Sequence, residues 1–425
     1  MFNLHAIRGR TWLSVVSSLI MILGGLSACA QNQNSGPNFG NATPITIGIA
    51  LSLTKNPNND FSSDGQSMEQ GYQLWADTVN NSGGILGRPV KLIILDDKSD
   101  DANNWKVYYQ LIHTYHVDLI LGPFSTLLTK AAESSAAKSG LDKYAFVEGA
   151  GGAPSVFTNG WTNLFAVSVP VENNLATYAY YILSLPKSQR PTTAAYLSSD
   201  DPFTFPQVLK SEQLLEQGGV KTVVPYMQYT EGDPKAPIAA DTVKIIQSKA
   251  QLVVLGTLLP DLQAEIKVFK QYNYNPRSMI ATAGPDLGQS FISAIGGVKY
   301  SEGVFVPNGW YPQANNFQNA QMVQAYLAKY GGSANNINAD VAEAFSAGQV
   351  LQEAVEQTRS LNNQTLINYL HNNVFNTVQG TAKFAQDGHN EEALAYLFQW
   401  QSGQLIPVYP ASAAAENPEY EKYQF

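Results

Sequence analysis

The sequence holds one cysteine, Cys29, so no disulfide can close within the chain and a small cross-linked exported fold is excluded. Charge is sparse. Asp, Glu, Lys and Arg make up 14 % of the residues, and the acids outnumber the bases 34 to 25, for a formal net charge of −9. The one basic cluster is Arg8 and Arg10, beside His5. Nucleic acid is therefore not an expected partner, because phosphate binding needs accumulated positive charge. Histidine is scarce too. His113 and His116 flank Tyr115 without an acid at ligand spacing, His371 and His389 stand apart, and no HExxH occurs, so no metal site is expected. The chain also lacks a G-x-S-x-G elbow and a P-loop. No catalytic residue and no cofactor is assigned, and an enzyme is not expected.

Long apolar runs are absent except one. Trp12 to Ala28 carries no charge and follows the basic start, which is the pattern of an export signal over residues 1–28. The run is short for a membrane span, which takes about 20 residues; a single-span anchor is the alternative. Leu26-Ser27-Ala28-Cys29 resembles the lipobox of bacterial lipoproteins, where the chain is cut before the cysteine and the thiol receives lipid. That resemblance implies a palmitate-type anchor at Cys29 and an extracytoplasmic, membrane-tethered protein. Residues 29–44 are then the lipidated cysteine and a flexible linker, rich in Gly, Pro, Asn and Gln; an ordered N-terminal arm is the other reading.

Over the whole sequence, hydrophobic residues at 44 % and a polar load carried by Asn, Gln, Ser and Thr describe a folded chain, and what lies beyond the linker is long enough for two domains. Ile45 to Leu51 reads as a strand buried on both faces, Gly65 to Val79 as a helix, Val90 to Leu95 as a strand ending in Asp96-Asp97, and Trp105 to Tyr115 as a helix. Val117 to Leu121 is a strand, Thr126 to Ser139 a helix, and Tyr144 to Val147 a strand. The rhythm restarts with a helix over Asn174 to Ser184 and strands at Thr193 to Leu197, Val223 to Gln228, Leu252 to Leu255 and Ser278 to Thr282, separated by helices at Phe205 to Gln217, Ile238 to Ser248 and Asp261 to Tyr272. Helices at 317–330, 340–358 and 363–371 follow, and the tail reads as strands about Ser402-Gly403. Alternation of this kind predicts an α/β fold with parallel sheets.

Several stretches in this order carry a resemblance: Ile47 to Thr54, Asp64-Gly-Gln66, Gly71-Tyr72, Asn80 to Val90, Asp96-Asp97, Gly122 to Thr126, Thr282 to Asp286, Gly380 to Phe384 and Asp387-Gly388. Together they resemble the periplasmic-binding-protein type I family, the solute-binding subunits of ABC transporters, in the branch of leucine/isoleucine/valine-binding proteins. The resemblance implies two Rossmann-like lobes around a ligand cleft, joined by a hinge that the chain crosses three times, near 170, 303 and 375. Lobe 1 is then 45–170 plus 303–375, and lobe 2 is 171–302 plus 376–425. It implies a small solute, an amino acid or an amide, and an ABC permease as membrane partner. A ligand-sensing module for a membrane receptor is the alternative; no output domain is recognised after Phe425.

Open α/β sheets bind ligands beyond the carboxyl ends of their strands. That rule selects Gly122 to Thr126, where Ser125, Thr126 and the amides at a helix start suit an anion; a plain helix cap is the other reading. In the family this loop grips a ligand carboxylate. Glu148 to Gly152 allows close backbone approach at Gly149, Ala150 and Gly151, with Gly151 where the family often has a threonine; Glu148 closes a salt bridge or lies outside the cleft as a solvated acid. Asp286 matches the family's acid for a ligand ammonium, or caps the next helix. Phe203 and Leu258 (or Leu259) stand where amino-acid binders place tyrosines, with Asp200 and Asp201 nearby. Leu53 to Ser63 and Trp310-Tyr311 are candidates for the cleft mouth. Replacing the lone thiol, Cys29→Ser, is expected to abolish metabolic lipid labelling while ligand binding by the released protein persists, a pair of outcomes read by radiolabelled fatty acid and by titration.

Overall fold

The computed structural model describes residues 37, 39–57, 59–393, 395–419, 421 and 422. The expected signal, Cys29 and linker residues 30–36 lie outside the described residues. The end of the expected linker is docked. Arg88 donates from Nε to the Thr43 carbonyl at 2.7 Å and from Nη2 to the Pro44 carbonyl at 3.1 Å, tying this stretch to the turn before the second strand. No helix among the described residues is long and apolar enough to cross a membrane.

Five strands build a first sheet: β1 (Ile45–Leu51), β2 (Val90–Asp96), β3 (Leu119–Leu121), β4 (Phe146–Glu148) and β5 (Leu164–Ala166). They pair in parallel in the order β2-β1-β3-β4-β5. The apolar run of β1 serves two cores because successive side chains point to opposite faces. Ile45, Ile47, Ile49 and Leu51 enter one cluster with Tyr72, Trp75 and Val350, while Ala50 enters the other with Tyr108, Ile120 and Phe146.

The second sheet has eight strands: β6 (Thr193–Ser199), β7 (Lys221–Thr222), β8 (Met227–Tyr229), β9 (Leu252–Gly256), β10 (Ser278–Ala281), β11 (Val304–Asn308) and, after a separate hairpin of β12 (Val374–Thr377) and β13 (Gly380–Lys383), β14 (Tyr396–Gln401) and β15 (Gln404–Tyr409). Pairing is parallel from β6 to β11, and antiparallel where β14 joins β11 and β15 joins β14. Burial again alternates. Ala194, Tyr196, Val254 and Ile280 enter one cluster, whereas Ala195, Leu197, Val253 and Met279 enter the other. Of the segment read as a strand over Val223 to Gln228, only Met227 and Gln228 fall in a strand, β8; β7 ends before it at Thr222, and Pro225, which has no amide hydrogen for the ladder, lies between the two. Ser135 likewise interrupts the expected helix Thr126 to Ser139.

Each sheet with its helices is one Rossmann-like lobe, and the chain passes between them three times: after β5, after β11, and between β13 and β14. The last two passages come later than the sequence reading places them. β11 pairs with β10, so the second sheet extends past residue 303. Phe375, Val378, Ala382 and Phe384 pack with the first sheet's core, so that lobe extends past residue 375.

Two long helices, Ser62–Asn81 and Ala339–Thr358, lie against each other on the first sheet. Glycine makes the approach possible. A Cβ on Gly71 would fall 2.3 Å from the Val341 carbonyl oxygen, and one on Gly348 would fall 2.3 Å from Trp75. Trp75 Nε1 then donates to Gln352 Oε1 at 3.1 Å. Gly71→Ala places a methyl group on backbone that cannot swing aside, and is expected to cost about 1–3 kcal/mol, as overpacking does; urea unfolding monitored by circular dichroism measures the shift.

Candidate functional site

Because β1 to β5 run in parallel, and β6 to β11 likewise, each set presents its carboxyl-end loops along one edge. Those edges meet at one cavity of about 730 Å³, within the range of about 300–1,000 Å³ usual for small-molecule sites. The loops after β1, β3 and β4 supply one wall and those after β6, β8, β9 and β10 the other, with Asn308 and Gly309 at the passage after β11.

Of the residues expected at a ligand, the structure brings Ser125, Thr126, Ala150, Phe203, Leu258 and Asp286 to this cavity. Gly149 and Gly151 are not among its lining residues. A Cβ on Gly149 would lie 3.0 Å from the Glu343 backbone, and one on Gly151 would lie 2.5 Å from Thr129 Oγ1, so both glycines serve packing beneath the loop. Residues of the first loop, including Lys55, Asn56 and Phe61, do line the cavity. Trp310 does not. It is buried in the first lobe, where Nε1 donates to Asn319 Oδ1 at 2.7 Å, and Tyr311 meets Tyr396 edge-on at 4.9 Å, so this pair packs the hinge.

Ser125 precedes the helix Thr126–Ser134, yet its side chain makes no capping bond. Its hydroxyl, that of fully buried Thr126 and that of Ser168 have no hydrogen-bond partner among the described residues, and all three residues line the cavity. A buried hydroxyl left unpaired is costly, so these are groups that a ligand would satisfy.

Glu148 takes neither role expected of it. It is fully buried, and its Oε2 accepts from the Ala150 amide at 2.6 Å, which shapes the loop from below. Burial pushes its carboxyl up to about 8 despite the amides of Ala150 and Gly151. Asp286 does not cap the helix Gln289–Ile295, whose cap position is Gly288. Its Oδ1 accepts from the Gly284 amide at 2.8 Å and braces its own turn, and burial raises its carboxyl to about 6. Asp201 behaves alike, accepting from the Phe203 amide at 2.8 Å, with its carboxyl raised to about 6 by burial. Asp200 accepts from the Glu231 amide at 2.8 Å.

Sequence reasoning missed most of the acids at this cavity. The carboxyls of Asp64 and Asp340 act on each other, and Glu343 acts on Asp340. Burial raises Asp64, with Asp286 adding to it; burial also raises Asp340, with Asp64 adding; and burial raises Glu343, with Glu148 and Asp286 adding. In the other lobe Glu231 and Asp261 form a second carboxyl pair, both raised by burial. The signal for Asp64, Asp340 and Asp261 existed, but it pointed elsewhere. Each lies in the first turn of a helix, where an acid is ordinarily explained by the helix dipole.

A sequence profile of the periplasmic binding protein family matches residues 44–404. The chain belongs to that family. A Leu/Ile/Val-binding protein homolog 8 from Brucella abortus (strain 2308) is 23 % identical over 411 residues, covering 90 % of this chain and 93 % of the relative. Among solved structures, the branched-chain amino acid transporter substrate-binding protein LivJ from Streptococcus pneumoniae, in complex with isoleucine, superposes with a TM-score of 0.70 at 17 % identity, covering 85 % of this chain and 98 % of that one. A solute-binding protein from R. palustris in complex with benzoate superposes with a TM-score of 0.69 at 16 % identity, covering 89 % and 99 %.

In this periplasmic binding protein the raised carboxyls fix a pH dependence. Asp201, Asp286 and Glu148 keep their protons in the folded chain at pH values where the unfolded chain has lost them. Their contribution to stability is full below the ordinary carboxylate range and is lost as pH rises through about 6 and then about 8. The ligand-free thermal midpoint is expected to fall over that interval. Asp286→Asn is expected to raise the midpoint more at pH 8 than at pH 4, a difference that calorimetry at the two pH values measures.

Proposed function

We propose that this chain is the extracytoplasmic solute-binding subunit of an ABC importer, holding a small amino-acid-like or amide solute between its lobes and presenting it to a membrane permease. The observation that carries the reading is the single cavity formed where the carboxyl-end loops of both sheets meet, with unpaired hydroxyls already in its wall. Family membership supports it, as do the isoleucine and benzoate held by two proteins of the same fold. The basic start, the apolar run and Cys29 support export followed by lipid attachment, with the chain between Cys29 and the docked residues near Thr43 as the tether.

Mechanism follows from the two lobes. The open form admits solute to one wall. Contacts to the second wall exist only in the closed form, so solute shifts the population toward closure. Ser125 and Thr126 meet an anionic end, from their hydroxyls and the amides at the start of the helix Thr126–Ser134. Asp286 meets a cationic end. Phe203 and Leu258 cover the apolar part. No bond is made or broken in this subunit.

A thermal-shift screen of the full chain carrying Cys29→Ser, against amino acids, amides, small acids and sugars, tests the reading. An amino acid or amide at about a hundredfold over its dissociation constant adds about 2.7 kcal/mol of stability. Thr126→Ala is expected to weaken that ligand by about tenfold, the worth of one buried hydrogen bond. A response to a neutral sugar alone overturns the solute class.

A further inference from the structure

The cavity wall carries more carboxyl groups than the one ammonium of a zwitterion can pair. Among the described residues that line it, Lys55 is the only basic one. Against it stand two groups of acids on different elements. The first comprises Asp64, Asp340 and Glu343 from the helices over the first sheet, joined by Asp286 from the loop after β10. The second comprises Asp201, Glu231 and Asp261, from the loops after β6, β8 and β9. Behind the second group lies Glu265, fully buried, whose charge acts on Tyr229 together with that of Asp261.

Each group contains two carboxyls that act directly on one another, Asp64 with Asp340 and Glu231 with Asp261. Two ionised carboxylates side by side repel, and neither has a proton to donate. Each pair must therefore hold a proton or have a cation beside it. An ammonium group brings the charge and several donors at once, and charge-assisted bonds of that kind are the strong ones. One ammonium serves one pair; the cavity has two. The same wall also has an apolar part, with Phe61 set edge-on to Phe124 at 5.8 Å, and with Val169, Phe203, Leu258 and Leu259.

An acidic wall alone would not mark a ligand site. The independent observation is the pair of buried hydroxyls, Thr126 Oγ1 and Ser168 Oγ. Both lie in residues more than nine-tenths buried, both residues line this cavity, and neither atom has a partner among the described residues.

We infer that the solute is a small organic dication, with two ammonium or guanidinium groups joined by an aliphatic chain, one group held by Asp64, Asp340 and Asp286 and the other by Glu231 and Asp261. This rests on the solute-binding reading above and narrows it. Basic amino acids and α,ω-diamines share this chemistry and differ in a carboxylate, for which Ser125, Thr126 and Ser168 are the available donors.

Isothermal titration of the full chain carrying Cys29→Ser with lysine, cadaverine, norleucine and leucine separates the cases. Lysine and norleucine differ in the terminal ammonium, and lysine and cadaverine in the carboxylate. The expected result is that lysine or cadaverine binds at least about tenfold more tightly than norleucine. Glu231→Gln combined with Asp261→Asn is expected to erase that preference, while the ligand-free thermal midpoint confirms folding. Lysine ahead of cadaverine identifies a basic amino acid; cadaverine equal or ahead identifies a diamine; both results uphold the inference. Norleucine or leucine binding as tightly as lysine and cadaverine overturns it and leaves the solute-binding function standing. Silence from all four, and from arginine and agmatine, also overturns it. A benzoate or amide signal in the same experiment then keeps the solute-binding reading, and its absence removes both.

Discussion

Parallel pairing is the constraint on which the site depends. A parallel strand must be reached by a crossover, so its neighbours all end at one edge and the helices must cover both faces. The continuous apolar runs of β1 and β9 meet the second requirement, since alternate residues supply opposite cores. Their backbones are satisfied by neighbouring strands up to the last residue. Beyond that residue the loops carry polar groups that no strand can pair. In the first sheet these are Ser125, Thr126 and the amides near Ala150, and in the second Asp201 and Asp286. Facing the two edges at each other turns this surplus of polar loops into a cavity.

The two antiparallel strands at the end of the chain belong to the same logic. β14 and β15 extend the second sheet beyond β11 without adding a carboxyl-end loop at the cavity. Three passages between lobes leave the cavity reachable only across a hinge. Trp310 and Tyr311 harden one of those passages by packing into it, and glycine lets the helices at Gly71 and Gly348 settle tightly on the first sheet.

β9 was legible because burial on both faces writes an uninterrupted Leu-Val-Val-Leu, and β1 and β2 because their apolar runs are broken only by small or single residues such as Thr46, Gly48 and Lys91. The short strands were not. Leu164–Ala166 has three residues, and Val304–Asn308 contains a proline, so neither shows a period, and both depend on neighbours already in place. The boundaries at 303 and 375 slipped for that reason. At the site, the loops after strands could be found from topology alone, which with its hydroxyl gave Thr126; the family resemblance singled out Phe203 and Asp286 within their loops. Gly149 and Gly151 looked like ligand positions because glycine permits approach by any atom, and here the approaching atoms are Glu343 and Thr129. The acids were hidden by a second meaning: Asp64, Asp340 and Asp261 satisfy helix starts whether or not they face a cavity.

On the solute-binding mechanism proposed above, those acids would couple binding to closure. Asp286 comes from the second lobe, yet its charge acts on Asp64, Asp340 and Glu343 of the first. Bringing the lobes together therefore brings like charges together, and the energy rises as the cavity loses water, because a lower dielectric strengthens the repulsion. Protons relieve it, which is the physical content of the raised carboxyls. A cationic solute relieves it as well, and it does so only where both walls can reach it. The same repulsion that opposes an empty closed form thus becomes attraction to the solute in the filled one. A binding protein built this way needs no separate latch: the charge left unbalanced in its wall disfavours closing on nothing.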